Sequence, residues 1–220
     1  MRWIARARRR LMINEQGISI TELVVAIGML SFVMVMIYGT MASGSNAVNG
    51  TEQRLINIGE ARLVMATASK DIRTATRLTA DTVPFLTADS HEVRFYANLN
   101  PTTGPKLVRI YVDANTQLVE EIIDPDVTSI PPAYTYTQNQ PRRRFVGQYV
   151  ANSAAEPIFT YKDADGNVLG PLPLNQTKRN QVRSVAVSLS IRKSTNLSVA
   201  ATTLVNEVRL PNLGYTAVVG

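Results

Sequence analysis

Residues 17–41 form an almost continuously apolar stretch, and this stretch restricts the possible folds of the chain more than any other feature. Nearly every residue in 23–38 is hydrophobic. With residues 39–42 the stretch reaches the roughly 20 residues that a membrane-spanning helix needs. One charged residue, Glu22, lies near its start. The sequence therefore predicts a membrane-spanning helix over residues 18–42, with one carboxylate close to its beginning.

Residues 1–17 are a basic leader upstream of this stretch. They contain five arginines and one glutamate, which is a net charge of +4 out of the +6 of the whole chain. Because the rest of the chain then carries only +2, its basic composition is weak support for nucleic-acid binding. The positive-inside rule places the leader in the cytoplasm and the residues after the span outside. We therefore expect a single-pass membrane protein with a cytoplasmic amino terminus and an extracytoplasmic head.

Two alternatives share this outline. A secretory signal peptide also has a basic region before an apolar core, but that core usually has about 7–15 residues, and residues 40–42 make a weak cleavage site. An uncleaved anchor would make the chain a membrane-anchored or exported binding domain or enzyme that forms no filament. Glu22 argues against a plain anchor, because a carboxylate in the centre of a spanning helix costs about 2.5–3.5 kcal/mol. At the headgroup boundary the same residue would cost little.

The residues around Glu22 resemble the amino-terminal signature of type IV pilins and type II secretion pseudopilins. The matching segment, residues 15–26, is Glu-Gln-Gly-Ile-Ser-Ile-Thr-Glu-Leu-Val-Val-Ala. In that family a basic leader ends in Gly, and a membrane-embedded prepilin peptidase cuts after it and methylates the new amino terminus. The resemblance implies that Gly17 is the last leader residue and Ile18 the N-methylated mature terminus. It also implies that Glu22 sets the register of subunits in a filament.

Two positions depart from the usual family pattern. Ile18 stands where Phe or Met is commoner, and Thr21 replaces an apolar residue. Neither departure removes the chemistry, because an α-amine at Ile18 would still lie about one helical turn from Glu22. The resemblance implies four kinds of partner: other pilins or pseudopilins through the amino-terminal helix, the prepilin peptidase, the inner-membrane assembly machinery and membrane lipid. It implies no cofactor, and it places the mature subunit in a cell-surface or periplasmic filament.

Residues 51–78 predict a second, amphipathic helical segment. The apolar positions of its single stripe are Ile58, Met65 and Ile72, with Ala61, Ala68 and Ala75 between them and Leu55 one turn earlier. We expect one long helix that leaves the membrane and continues over residues 43–80 into the head. It should bend or loosen over residues 39–50, because each glycine there costs up to about 1 kcal/mol relative to alanine.

Alternation of period two replaces the helical pattern from residue 81 onward and predicts a β-rich globular head over residues 81–220. Five to seven strands are expected. The candidate strands are residues 92–97, 107–112, 117–123, 145–150, 157–162, 181–192 and 204–210. The predicted fold class is α+β: a long amino-terminal helix, with a membrane half and an amphipathic half, packed on a mainly antiparallel β-sheet in a pilin-like arrangement.

The order of the last strands adds a second, looser resemblance. A strand that ends in Asp-Ala-Asp-Gly, at residues 163–166, precedes a long alternating strand and then a final strand. This order resembles the heads of minor pseudopilins of the J type and of minor pilins of the W type. It implies a minor subunit of a type IV pilus or of a type II secretion pseudopilus, assembled into the filament or its tip.

We find no residue pattern typical of catalysis or metal binding in the head. The chain has no cysteine and one histidine, His91, which excludes thiolate and multi-histidine metal sites. The turn at Asp163 lacks the Glu that a calcium loop needs, and the arginines at residues 142–144 are predicted to be a solvated loop. Ser190 and Lys193 match S-x-x-K but would point to opposite faces of a strand. We predict a structural subunit and not an enzyme.

Overall fold

A computed structural model describes residues 18–79, 81–99, 104–193 and 200–213. The basic leader, including the expected cleavage residue Gly17, lies outside the described residues. Contacts divide the chain into two units, the first ending at Gly50 and the second beginning at Thr51. Each unit is considered by itself below.

One α-helix, α1 (Ile20–Arg73), contains the whole apolar stretch and is 54 residues long. It stays helical from Gly39 to Gly50, so the expected loosening there is wrong. Propensity is a weak prior, and here helix on both sides spares this stretch the cost of nucleation. The Thr40 hydroxyl also remains within the helix, because it donates a hydrogen bond to the carbonyl oxygen of Ile37 at 2.9 Å.

The helix ends at Arg73, earlier than the expected end near residue 80. The amide and the hydroxyl of Thr74 both donate to the carbonyl oxygen of Asp71, at 3.1 and 2.7 Å. The next two residues form a short strand, β1 (Ala75–Thr76), so Ala75 belongs to a sheet although it continues the helical stripe. Pairing with a distant strand thus overrides the local helical pattern at this point.

The remaining elements form two antiparallel sheets. The first contains β1, β2 (Phe85–Ala88), β3 (Glu92–Ala97), β4 (Lys106–Val112), β5 (Leu118–Ile123) and β6 (Arg142–Gly147), in the order β1-β3-β4-β5-β6, with β2 also paired to β3. The second contains β7 (Phe159–Lys162), β8 (Ser184–Ile191) and β9 (Thr202–Arg209), in the order β7-β8-β9. A short helix, α2 (Gln176–Gln181), precedes β8, and a 3-10 turn (Pro211–Leu213) follows β9. The described residues therefore have an α+β fold with antiparallel strand pairs.

All seven predicted strands exist, but some of their bounds differ. β3 matches its prediction, and β4 and β5 form the predicted hairpin around the turn after Asp113. β6 begins at Arg142, so the interpretation of residues 142–144 as a loop is wrong. Gln181 ends α2 and does not begin a strand. The Asn175 side chain caps the start of that helix by accepting a hydrogen bond from the Lys178 amide at 2.9 Å. The strands β1 and β2 and the helix α2 were not predicted.

The part of α1 that lies in the second unit is buried along one face, and this face joins the core formed by both sheets. The predicted stripe is confirmed at Ala61, Met65, Ala68 and Ile72, whereas Leu55 is exposed. Sequence reasoning missed four other buried side chains on this segment, namely Asn57, Val64, Ser69 and Asp71. Val64 belongs to the same hydrophobic core as Phe85, Phe95, Phe159 and Tyr161. A mainly hydrophobic helix face thus docks on the strands, and three polar side chains are buried on the same segment.

Strand β8 has the buried face that its alternation predicts. Val185, Val187, Leu189 and Ile191 are all at most 1% exposed. The adjacent strand β9 is more exposed, and Val205 keeps 69% of its surface accessible. The second sheet thus contributes one apolar face to the core.

Candidate functional site

Two of the three predicted site residues, Ile18 and Glu22, lie at the start of α1. Ile18 precedes the helix and is 72% exposed. Glu22 is the acid of the first helical turn, where the free amide groups and the positive end of the helix dipole favour a negative charge. Gly17 is outside the described residues. The position of Glu22 on the helix is thus as predicted, whereas its pairing with a mature amino terminus remains a prediction.

The side chains around Glu22 form a continuous exposed apolar surface. Every residue of α1 before Gly50 is exposed, including large side chains such as Phe32 and Met36. The best 18-residue window has a mean hydropathy of 2.4, and none of it is buried. By length and composition, this is one helix that can cross a membrane.

Other polar side chains in this apolar segment satisfy their hydrogen bonds within the helix. The Ser31 hydroxyl donates to the carbonyl oxygen of Ile27 at 2.8 Å, and Thr40 bonds to the carbonyl oxygens of Met36 and Ile37. Glu22 is chemically different, because an ionised carboxylate can only accept and carries a charge that no neighbour on the apolar segment balances. The segment therefore combines an apolar surface with one acid that no other residue of the segment neutralises.

In the second unit, a buried acidic pair lies where α1 meets the first sheet. Asp71, in the last turn of α1, has a side chain that is 8% exposed, and Glu120, on β5, has one that is 0% exposed. The Arg144 guanidinium reaches in from β6, with Nη2 2.5 Å from Glu120 Oε2 and 3.8 Å from Asp71 Oδ2. Burial, followed by the hydrogen bond and the charge of Glu120, raises the pKa of Asp71 to about 7.

The opposite face of the first sheet carries a ladder of charged side chains. Arg109 on β4 makes two hydrogen bonds to Glu92, at 2.8 and 2.9 Å, and one to Glu121 at 3.3 Å. Arg143 on β6 donates to Glu121 at 2.8 Å and to the Tyr111 hydroxyl at 2.6 Å. These cross-strand pairs fix strand register, and each is worth a fraction of a kcal/mol because the pairs are partly exposed.

The three arginines at residues 142–144 are all held by acids. Arg142 pairs with Asp124 at 3.0 Å, Arg143 with Glu121 and Arg144 with Glu120. Because each of these exposed guanidinium groups is paired with a carboxylate, this run offers little free positive charge to phosphate groups. In the register of β5 and β6, two acids of one strand lie opposite two arginines of the next. This pairing could not be predicted from the sequence, because it depends on the strand register.

A cavity of about 740 Å³ lies beside the long loop between β5 and β6. Lys106 and Arg142 both line it, and both are bound to Asp124, at 2.7 and 3.0 Å. Tyr134 and Asn139 also line it. The positive charges at its wall are therefore paired with a carboxylate.

The loop itself is organised by Asp126, which is 3% exposed. Its carboxylate accepts hydrogen bonds from the Thr135 hydroxyl at 2.7 Å and from the Thr137 and Gln138 amides. Burial would raise the pKa of Asp126, but these donated hydrogen bonds outweigh burial and hold the pKa well below its usual range. Nothing in the sequence pattern marks Asp126 as the residue that orders this loop.

The discounted motifs have ordinary structural roles. The Asp163 carboxylate accepts from the amides of Asp165 and Asn167, at 3.0 and 2.9 Å, as in a tight turn. His91 contacts the Ser90 hydroxyl at 2.9 Å. Ser190 shares a 2.6 Å hydrogen bond with the Thr203 hydroxyl on β9. In the described part of the chain, no cluster of three or more potential metal-ligating side chains is found.

A comparison with models of known protein families finds no match for this chain, and a comparison with curated protein sequences finds none either.

Proposed function

We propose that this chain is a structural subunit of a pilin-like filament, made as a membrane-anchored precursor and assembled through the first half of α1. One observation carries the proposal: Glu22 is the single charged residue on an otherwise apolar and fully exposed helical segment. A plain membrane anchor gains nothing from that carboxylate. A subunit that packs its helix against copies or relatives of itself can use it to choose one register.

The counter-charge would come from the amino terminus of a neighbouring subunit. Cleavage after Gly17 by a prepilin peptidase creates an α-amine on Ile18, and N-methylation leaves its charge in place. In the low-dielectric core of a helix bundle an unpaired charge is expensive, so Glu22 and a neighbour's Ile18 amine would neutralise each other. Subunits aligned so that the two groups meet are then favoured over all other registers.

We propose that the second unit is exposed outside the cytoplasm. It contains two sheets and a docked helix segment and is larger than a filament needs for packing alone. We therefore place the chain among the minor subunits, in a type IV pilus or a type II secretion pseudopilus, incorporated into the filament or its tip. Its partners would be other pilins or pseudopilins, the prepilin peptidase and the inner-membrane assembly machinery, and its role would be structural and not catalytic.

The alternative is a membrane-anchored or exported binding domain that forms no filament. The 740 Å³ cavity beside Lys106, Asp124 and Arg142 is the feature that favours this alternative. Ligand binding and filament assembly are compatible in principle, so the cavity does not decide between them. The amino terminus of the mature protein does.

Mass spectrometry of the native protein from its own cells tests the proposal. We expect the mature chain to begin at Ile18, with one added methyl group, and to sediment with sheared filaments. Replacing Gly17 with a bulky residue should leave the leader attached. A chain that retains residues 1–17 would instead be a simple anchor, one that begins near Ser43 would be a signal-peptide product, and either result would contradict the proposal.

A further inference from the structure

Asp71 and Glu120 bring two carboxyl groups together inside the contact between α1 and the first sheet. Asp71 lies in the last turn of the helix and Glu120 in the middle of β5. Both side chains are more than nine-tenths buried. Two ionised carboxylates in such a place repel each other strongly, since little water screens them. The pair therefore calls for a physical explanation.

Each carboxyl group has one buried oxygen that lacks a donor. Among the described residues, Asp71 Oδ2 and Glu120 Oε1 make no hydrogen bond when both groups are treated as ionised. An ionised carboxylate cannot donate, so two carboxylates cannot satisfy each other. One added proton changes this, because a protonated carboxyl group can donate to its neighbour, and the Asp71 and Glu120 side chains lie within hydrogen-bonding reach of each other.

The charges that face the pair come from three elements. Glu120 lies on β5, Arg144 reaches in from the edge strand β6, and Lys70 lies on α1 itself. Arg144 is mainly committed to Glu120, through Nε at 2.7 Å and Nη2 at 2.5 Å, and stands 3.8 Å from Asp71. Its side chain is also 59% exposed, so its charge is partly screened by water. One cation thus balances one of the two acids, and the second acid is left for a proton.

We propose that Asp71 and Glu120 share one proton, and that loss of this proton weakens the attachment of the last turns of α1 to the sheet. The site acts as a pH-sensitive clamp on the helix. It is independent of whether the chain assembles into a filament, because every group in it belongs to the second unit.

The direction of the pH effect follows from the elevated pKa of Asp71. The folded protein keeps a proton that the unfolded chain has already released above about pH 4. Stability must therefore fall as pH rises from about 4 to about 7 and level off above that range. The carboxyl groups with lowered pKa values, such as Asp126 and Glu207, titrate below this range, so they do not contribute to the pH dependence of stability within it.

The test uses the full chain in detergent micelles, with the unfolding equilibrium measured between pH 5 and pH 9. For the wild type we expect the unfolding constant to rise by up to about tenfold per pH unit between 5 and 7. Asp71→Asn keeps the shape of the protonated acid and cannot ionise, so its unfolding constant should be flat over that range. Asp81→Asn, at an exposed carboxylate, is the matched control and should keep the wild-type slope.

Two further measurements keep the proposal open to refutation if Asp71→Asn folds poorly. Infrared spectra of the wild type should show the carbonyl stretch of a protonated carboxyl group at pH 6 and lose it by pH 9. Arg144→Gln removes the cation that lowers the pKa of Asp71 and should move the pH slope to higher pH. The proposal is wrong if the infrared band is absent at pH 6, or if Asp71→Asn retains the wild-type pH slope.

Discussion

Gly147 at the end of β6 lies so close to Val64 of α1 that a Cβ atom on Gly147 would be 2.3 Å from Val64 Cγ2. No side chain larger than hydrogen fits there without movement of the helix or the strand. The glycine is thus required by packing between two elements that are distant in sequence, and not by a turn. It sets how near α1 can approach the edge of the first sheet.

Gly147→Ala should therefore destabilise the protein by about 1–3 kcal/mol through overpacking. The added methyl group meets a β-branched side chain that has little rotameric freedom in a helix. Chemical denaturation of the full chain in detergent measures the change in the free energy of unfolding. Combining Gly147→Ala with Val64→Ala should cost less than the sum of the two single changes, and strict additivity would contradict the contact.

Gly59→Ala provides the matched control for that experiment. A Cβ atom on Gly59 meets no other atom within 4 Å, and the residue lies inside α1. Alanine is the better helix former by up to about 1 kcal/mol, so this change should stabilise the protein. A loss of stability would show that the helix is held differently around residue 59.

Glu22→Ala should leave membrane insertion intact and reduce the share of this subunit in filaments at least tenfold. Breaking a buried ion pair from one side costs about 3–5 kcal/mol, because the remaining amine stays buried and unpaired. Immunoblots of sheared filaments and of membrane fractions measure the two quantities separately. Ser31→Ala is the control, since the Ser31 hydroxyl bonds within its own helix, and it should assemble normally. Normal incorporation of Glu22→Ala would exclude the pairing mechanism.

Tyr161→Phe should destabilise the protein by about 1–3 kcal/mol. Tyr161 is fully buried on β7, and its hydroxyl donates to the carbonyl oxygen of Asp89 at 2.9 Å. The Phe side chain keeps the packing and removes this hydrogen bond, together with a longer contact of 3.4 Å to the carbonyl oxygen of Glu92. Tyr38→Phe, at a side chain that is 77% exposed, should change stability by less than about 0.5 kcal/mol. If Tyr161→Phe and Tyr38→Phe changed the free energy of unfolding equally, the prediction would be wrong.

Asp126→Asn should loosen the loop between β5 and β6 without unfolding the sheets. Asn replaces one of the two accepting oxygens with an NH2 donor, so it cannot accept from the Thr135 hydroxyl and from the Thr137 and Gln138 amides together. Limited proteolysis at pH 7 should cut this loop faster than in the wild type or in Asp81→Asn. Because the pKa of Asp126 is depressed, its contribution is present above about pH 4 and is lost as pH falls further, so the difference between variant and wild type should shrink in acid. A difference that grows in acid would contradict this assignment.

Features set by local pattern were predictable from the sequence alone. The apolar segment of α1 and its single acid follow from composition and spacing. The hairpin of β4 and β5 follows from its turn, which lies between two alternating segments. The buried face of β8 follows from its four alternating apolar residues. In each case the neighbours along the chain supply the whole signal, since period and hydrophobicity are local properties.

The features that the sequence did not predict depend on contacts between residues that are far apart in the chain. The pairing of Ala75 with Ala97 ends α1 early. The register of β5 against β6 places two arginines of a predicted loop opposite two acids, and one of these acids, Glu120, is buried. Asp71 belongs to the polar positions of its helix by pattern, yet it is buried against Glu120, where an added proton becomes favourable. The sequence determined the apolar helical segment, seven of the nine strands of the described residues and the position of the lone acid of the apolar span. Only the tertiary structure decided which charges lose their water, because burial depends on residues that are far apart in the chain.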